Sequence, residues 1–365
     1  MIEHTTQCIL GHGPSWNKAL RVVLIATLVS LFFSSPSYNR YQQHLFHWEV
    51  FFEQVKSPLT PTVHNDDSHF SKTTFRLFPP LLAKFLGIQS PIVMIFLQGA
   101  FAMLALLSLW HLSMNFGWSE ITRFWFLISQ ALTLPFGIGF VEVRPLFDGV
   151  AISLCLLTLS LKAPGFWSGT LLLMALFCDE RSLLALAGIF LFRMMHAHRS
   201  TVLLQSLDIF FAIFFYAIVR MGLSTMLNLE TARGGIGLST AIHNNNIFFP
   251  AQWSVLEMGL PLCFFAMVVC LRKSILFGIA YIIYYTLGML ACCFVWDVSR
   301  SMLYMFPVIL MATKCLSMTV KEDLALRVWL CMAVGNALFF NHFLGTGSKI
   351  NTFQPMIVEL IKYFA

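Results

Sequence analysis

The stretch PIVMIFLQGAFAMLALLSLW, Pro91 to Trp110, decides how this chain is read. It is one continuous apolar run without a charged residue. A helix needs about 20 such residues to cross a bilayer core of about 30 Å. The rest of the chain agrees with it: 58% of the 365 residues are hydrophobic and only 11% are charged, with a mean hydropathy of +0.76. Soluble domains carry about 25% charged residues, so an ordinary soluble enzyme is excluded. Disorder is excluded too, because it requires low hydrophobicity. A β-barrel would alternate apolar and polar residues over short segments, and the runs here are unbroken.

The expected fold is therefore all-α, a polytopic transmembrane helix bundle. About ten or eleven apolar segments are counted, with ends uncertain by a few residues: 19–35, 91–112, 121–140, 148–162, 166–178, 182–195, 203–223, 252–271, 274–295, 300–317 and 323–343. Residues 1–365 read as a single integral membrane domain. The longest polar stretch, 34–90, reads as a large outer loop that carries an interfacial segment. The first apolar segment follows Lys18 and Arg21 but precedes no A-x-A cleavage pattern, so it is read as a retained helix.

Segments 166–178 and 182–195 are separated only by Asp179, Glu180 and Arg181. At 1.5 Å per residue each reaches about 20 Å, too short to cross alone. Either they form one long tilted helix with three charges at mid-membrane, or two short helices that meet at a polar apex buried in the bundle. A charged triplet facing lipid is excluded by its cost.

The net charge is +6, from 23 Lys+Arg against 17 Asp+Glu. No basic block of the kind that grips nucleic acid occurs. With the hairpin reading and a cytoplasmic N-terminus, Arg193, Arg199, Arg272, Lys273, Lys314, Lys321 and Arg327 fall inside, and Arg220, Arg233 and Arg300 outside. That is the positive-inside arrangement. Eight of the nine cysteines lie in or beside apolar runs and no CxxC occurs, so they read as small packing residues.

Four patterns can carry chemistry. HNDDSHF, His64 to Phe70, offers Asp66 and Asp67 as a general base or as ligands of a divalent cation. TFRLFPPLLAKFLG, Thr74 to Gly87, reads as an interfacial segment whose prolines start a short helix, with Arg76 placed to meet a phosphate. In VEVRPLFDGV, Arg144 and Asp148 stand four apart and, if helical, share a face where they can pair. LFCDERSLLALAGIF and DVSRSMLYMFP each set an acid close to an arginine, Asp179 and Glu180 with Arg181, and Asp297 with Arg300. Arginine suits phosphate because its planar fork donates paired hydrogen bonds. Neither a P-loop nor G-x-S-x-G nor H-E-x-x-H is present.

In order along residues 19–320, these features resemble the GT-C class of polytopic glycosyltransferases. A first helix and a large acidic outer loop lead into FRLFPPLLAKFLG; GTLLLMALFCDERSLLALAGIFLF is similar to the class's polar break between Leu-rich half helices; SRSMLYMFPVILMA is similar to its late helix with an arginine and a proline. The resemblance implies a polyprenyl-phosphate sugar donor, an acceptor at the outer face, and a place in cell-envelope assembly at a bacterial inner membrane. On that reading Asp66 or Asp67 is the base, with a divalent cation as a possible cofactor. Arg76, Arg181 and Arg300 bind the donor phosphate, supported by Arg144, Asp148, Asp179, Glu180 and Asp297. The chain departs from the class in the distance of Asp66 and Asp67 beyond the first helix, about 30 residues, and in having no soluble C-terminal module. A polysaccharide polymerase, a transporter and a non-catalytic membrane protein are the alternatives.

Overall fold

The computed structural model describes residues 15–59, 74–161, 165–195, 206–226, 237–295, 297–338, 343–346 and 349–364. Almost all of them are helical. Helix α1 spans Ser15–Phe33, and the short α2, Tyr38–Gln43, and α3, Leu45–Lys56, follow it. Helix α4, Phe78–Phe85, begins on Pro79 and Pro80, as TFRLFPPLLAKFLG predicts, because the first turn of a helix has no partner for the missing N–H. Then come α5 (Pro91–Ser113), α6 (Glu120–Ala131), α7 (Leu134–Val141), α8 (Asp148–Ser160), α9 (Phe166–Cys178), α10 (Ser182–Met194) and α11 (Leu207–Met226). The second half holds α12 (Leu238–Leu256), α13 (Gly259–Lys273), α14 (Ile275–Cys293), α15 (Val298–Leu303), α16 (Pro307–Thr319) and α17 (Glu322–Leu338). A two-stranded hairpin, β1 (Phe343–Thr346) antiparallel to β2 (Lys349–Thr352), and helix α18 (Met356–Phe364) close the chain.

Among the described residues five helical stretches are long and apolar enough to cross a membrane: Trp16–Phe33, Pro91–Phe116, Leu207–Met226, Ile275–Cys293 and Val298–Thr319. Two bent pairs, α6 with α7 and α12 with α13, qualify as broken spans, and α8, α9 and α10 are shorter apolar helices. Helix α11 turns most of its surface outward, with only 17% of its apolar window buried. Phe210 and Phe214 project from it, as side chains facing lipid tails do. The chain thus has the composition and the helices of an integral membrane protein.

The breaks have local causes. Between α6 and α7 the axis turns by 61°, where Pro135 cannot donate to the preceding turn. Between α12 and α13 it turns by 88°, at Glu257 with a φ of 45°. One residue serves both breaks. Asn336 of α17 is fully buried; its Nδ2 donates to the Ser129 carbonyl at 3.1 Å, and its Oδ1 accepts the Met258 N–H at 3.2 Å. Unmatched backbone groups in an apolar interior are costly, so a single amide holds two kinks. The continuous segments expected over 121–140 and 252–271 are each interrupted in this way.

The reading of residues 166–195 as two short helices holds. Helices α9 and α10 fold back on each other: Arg193, in the last turn of α10, donates to Ser168 Oγ in the first turn of α9 at 3.0 Å. The same guanidinium meets Asp208 of α11 at 2.7 Å, so a second buried ion pair closes the end opposite the apex. Helices α7, α8 and α5 cross at small residues. A Cβ on Gly149 would stand 2.5 Å from Gly139 Cα, and one on Gly139 would stand 2.8 Å from Ala102 Cβ. Such contacts let backbones approach where hydrophobic burial gives little drive.

Candidate functional site

Helices α7 and α9 end in the same way. After Val141 and after Cys178 the chain becomes extended at an acid, Glu142 or Asp179. Each carboxylate turns back on the arginine two residues on. Glu142 accepts the Arg144 N–H at 3.0 Å and its Nε and Nη2 at 2.8 and 2.7 Å. Asp179 accepts the Arg181 N–H at 3.0 Å and its Nε and Nη2 at 2.8 and 2.6 Å. Both are forked, charge-assisted pairs closed over a turn.

Asp148 joins these ends to the rest of the bundle. It opens α8, where a carboxylate is favoured by the free N–H groups and the helix dipole. The residue before it, Phe147, has a φ of 58°, a conformation that side chains rarely adopt and that surrounding packing must impose. Phe147 packs on Trp48 and Phe51 of α3, with ring centroids 6.3 and 5.0 Å away, and Trp48 Nε1 donates to the Val143 carbonyl at 2.9 Å. Helix α3 thus clamps the turn that aims Asp148. The carboxylate accepts from Arg300 Nε at 2.8 Å, Arg181 Nη2 at 3.1 Å and the Tyr304 hydroxyl at 2.9 Å.

Asp179 extends the network. Arg76 Nη2 lies 2.9 Å from it and Arg300 Nη2 3.8 Å, while Arg300 Nη1 donates to Asp297 at 3.0 Å. Three arginines and three aspartates therefore meet, neutral in sum. Asp148, Asp179 and Arg300 are almost wholly buried. Burying such charges costs several kcal/mol each, which only close pairing offsets.

The pairing leaves donors over. Arg76 Nη1, Arg300 Nη2 and all three guanidinium nitrogens of Arg40 are buried without a hydrogen bond. Arg40 lies 3.7 Å from Glu142 and 4.8 Å from the centre of the Phe353 ring. Burial lowers its pKa to about 10. Arg76 also lines a small cleft of about 40 Å³ between α3, α4 and the 145–147 turn, walled by Phe51, Gln54, Pro79, Pro80, Leu146 and Phe147, with His47 among its lining residues. His47 and His44 face each other through their Nδ1 atoms at 3.1 Å. Burial first, then the charge of Arg144, hold the His44 imidazole down to about 4. Glu142 lies well below the carboxylate range because Arg144 and Arg40 outweigh its burial.

Of the residues singled out in the sequence, Arg76, Asp148, Asp179, Arg181, Asp297 and Arg300 come together. Asp66 and Asp67, the candidate base or cation ligands, lie outside the described residues. The expected Arg144–Asp148 pair does not form, because Phe147 interrupts the helix between them; Arg144 takes Glu142, and Asp148 takes Arg300 and Arg181. Arg300 does not pair with Asp297 alone, since Asp148 accepts its Nε. Arg181 is committed to two carboxylates and offers less to a ligand than Arg76. Glu180 stands apart, paired with Arg220, whose guanidinium covers the Phe75 ring at 4.7 Å.

Tyr304 and Arg40 were missed as site residues. Tyr304 follows Arg300 by one helical turn, which was a usable signal, whereas nothing near Arg40 in sequence points to Glu142. Among the described residues no three His, Cys, Asp or Glu side chains gather as metal ligands. Of the eight cysteines among the described residues six are buried, as packing residues would be, while Cys293 is half-buried and Cys331 is exposed. No family model, curated protein or solved structure matches this chain.

Proposed function

We propose that the protein is a membrane glycosyltransferase that takes its sugar from a polyprenyl-phosphate donor at the outer face, with the N-terminus cytoplasmic, in envelope glycan assembly. One observation carries this reading: Arg76, whose Nη1 is buried without a hydrogen bond, lines a small, mostly apolar cleft beside α3 and α4. An apolar cleft with one cation at its floor suits a phosphate on a long apolar chain. Arg300 and Arg40, which also hold unmatched N–H groups, add positive potential to the same end of the bundle. Asp148 and Asp179 position these arginines and are too fully engaged to accept a proton from an acceptor. The GT-C resemblance implies Asp66 or Asp67 as the base.

That full engagement also favours a second reading, a non-catalytic protein in which the cluster only pins the helices. Binding of polyprenyl phosphate and of the uncharged polyprenol to the purified protein separates the two. The phosphate should bind more tightly, and Arg76→Ala should weaken it by about ten- to a hundredfold, the range for a lost charged hydrogen bond. Equal binding of both lipids, or an unchanged affinity in Arg76→Ala, would leave the cluster as a structural pin.

A further inference from the structure

The end of the bundle opposite the arginine cluster carries another built feature. Helices α1, α5, α6 and α8 leave an open crevice of about 530 Å³ between them. Its inner wall is apolar, formed by Leu104 and Leu107 of α5 and Leu157 of α8. Its mouth is charged, with Lys18 of α1 and Arg123 of α6 on either side of Glu120. Lys18 Nζ reaches both Glu120 oxygens at 3.2 Å. Arg123 lies over the Trp110 ring, 4.7 Å from its centre, and its Nε is buried without a hydrogen bond. Among the lining residues one carboxylate stands against two cations; Glu322 of α17, next to them, is engaged by the Ser119 N–H at 2.7 Å and the Thr122 hydroxyl at 2.9 Å.

The levels of these groups match those of an amphiphile. Trp16 and Lys18 lie in the first turn of a span and Arg123 in the first turn of another. Tryptophan and basic side chains at span ends sit at headgroup depth, and the leucines lie deeper. Basic pockets between spans bind anionic headgroups. We infer that this crevice holds one anionic phospholipid, its phosphate on Arg123 and Lys18 and an acyl chain against Leu104, Leu107 and Leu157. This site is independent of the donor cleft and stands whether or not the protein is a transferase.

The test uses the full chain in nanodiscs of mixed phosphatidylglycerol and phosphatidylcholine, with one of the two lipids brominated. Bromine quenches nearby tryptophans, and the signal lost in a Trp16→Phe variant isolates the crevice. Brominated phosphatidylglycerol should quench that signal with a several-fold higher relative affinity. Each basic residue is worth about fivefold, so Arg123→Gln should remove most of the preference. Glu120→Gln should do the reverse and raise it by about fivefold, since it frees Lys18. A rise cannot come from misfolding. Equal quenching by both lipids, quenching by neither, or a fall in Glu120→Gln would overturn the proposal.

Discussion

Replacing Asp148 by Asn tests the central cluster most directly. The change keeps the shape and one acceptor oxygen but removes the charge, and it turns an N–H donor toward another donor. In the native protein this carboxylate accepts from Arg300 at 2.8 Å, Arg181 at 3.1 Å and Tyr304 at 2.9 Å. Charged hydrogen bonds contribute about 1.5–3 kcal/mol each, but Asn retains part of the set, so the sum is an upper bound. Breaking a buried ion pair on one side costs about 3–5 kcal/mol, an upper range here because Arg300 keeps Asp297 and Arg181 keeps Asp179. With an unfolding entropy of about 2 cal/mol/K per residue over 365 residues, that corresponds to a fall in Tm of about 4–7 °C. The assay is thermal unfolding in detergent followed by tryptophan fluorescence. A double variant, Asp148→Asn with Arg300→Met, removes both partners and should lose less than the sum of the single changes, by about 1–3 kcal/mol. A shift in Asp148→Asn below about 1 °C, or strict additivity in the double variant, would refute the claim that this pair joins α8 to α15.

Two further outcomes are expected. Asn336→Leu should destabilise the protein by about 2–4 kcal/mol, because it strands the Met258 N–H and the Ser129 carbonyl at the two helix breaks; a loss under 1 kcal/mol in chemical unfolding would mean that the breaks hold themselves. Acid should loosen the turn at Glu142. The folded His44 takes up its proton near pH 4 rather than at the ordinary 6.5, so the unfolded chain binds more protons between these values and stability falls as pH drops through that window. Glu142, held well below its usual range, contributes a loss of the same sign below about pH 4.5. His44 is about half-buried, so solvent screening keeps its share small. The Tm should be flat above about pH 6.5 and fall towards pH 5, with a shallower fall in His44→Gln; equal slopes in the two proteins would remove His44 from the account.

The amino-acid sequence by itself determined the class of fold, because apolar runs of span length have few other solutions once water is excluded. It also placed three charges, Asp179, Glu180 and Arg181, between two apolar segments too short to cross alone, but left a single tilted helix and a pair of short helices both open; the packed helices decided for the pair. The start of α4 was legible as well, because proline acts locally. The helix breaks were less so. Pro135 was visible, but the turn at Glu257 rests on Asn336, 79 residues away, and hydropathy counts that side chain as one polar residue in an apolar run.

Only the tertiary structure decided which charges belong together. Adjacent acids and arginines suggested local pairs, and two of these form, Asp179–Arg181 and Asp297–Arg300, while Arg144 takes Glu142 instead of Asp148. The contacts that join Asp148 to Arg300 and Arg76 to Asp179 cross 152 and 103 positions of the chain, and no spacing rule reaches that far. Arg144 and Asp148 show the converse. Their spacing fits a helix face, yet Phe147 adopts a left-handed conformation between them because Trp48 and Phe51 pack against its ring. A buried ion takes the partner that the packed helices deliver to it, and that delivery depends on how Gly139, Gly149 and Ala102 let those helices cross.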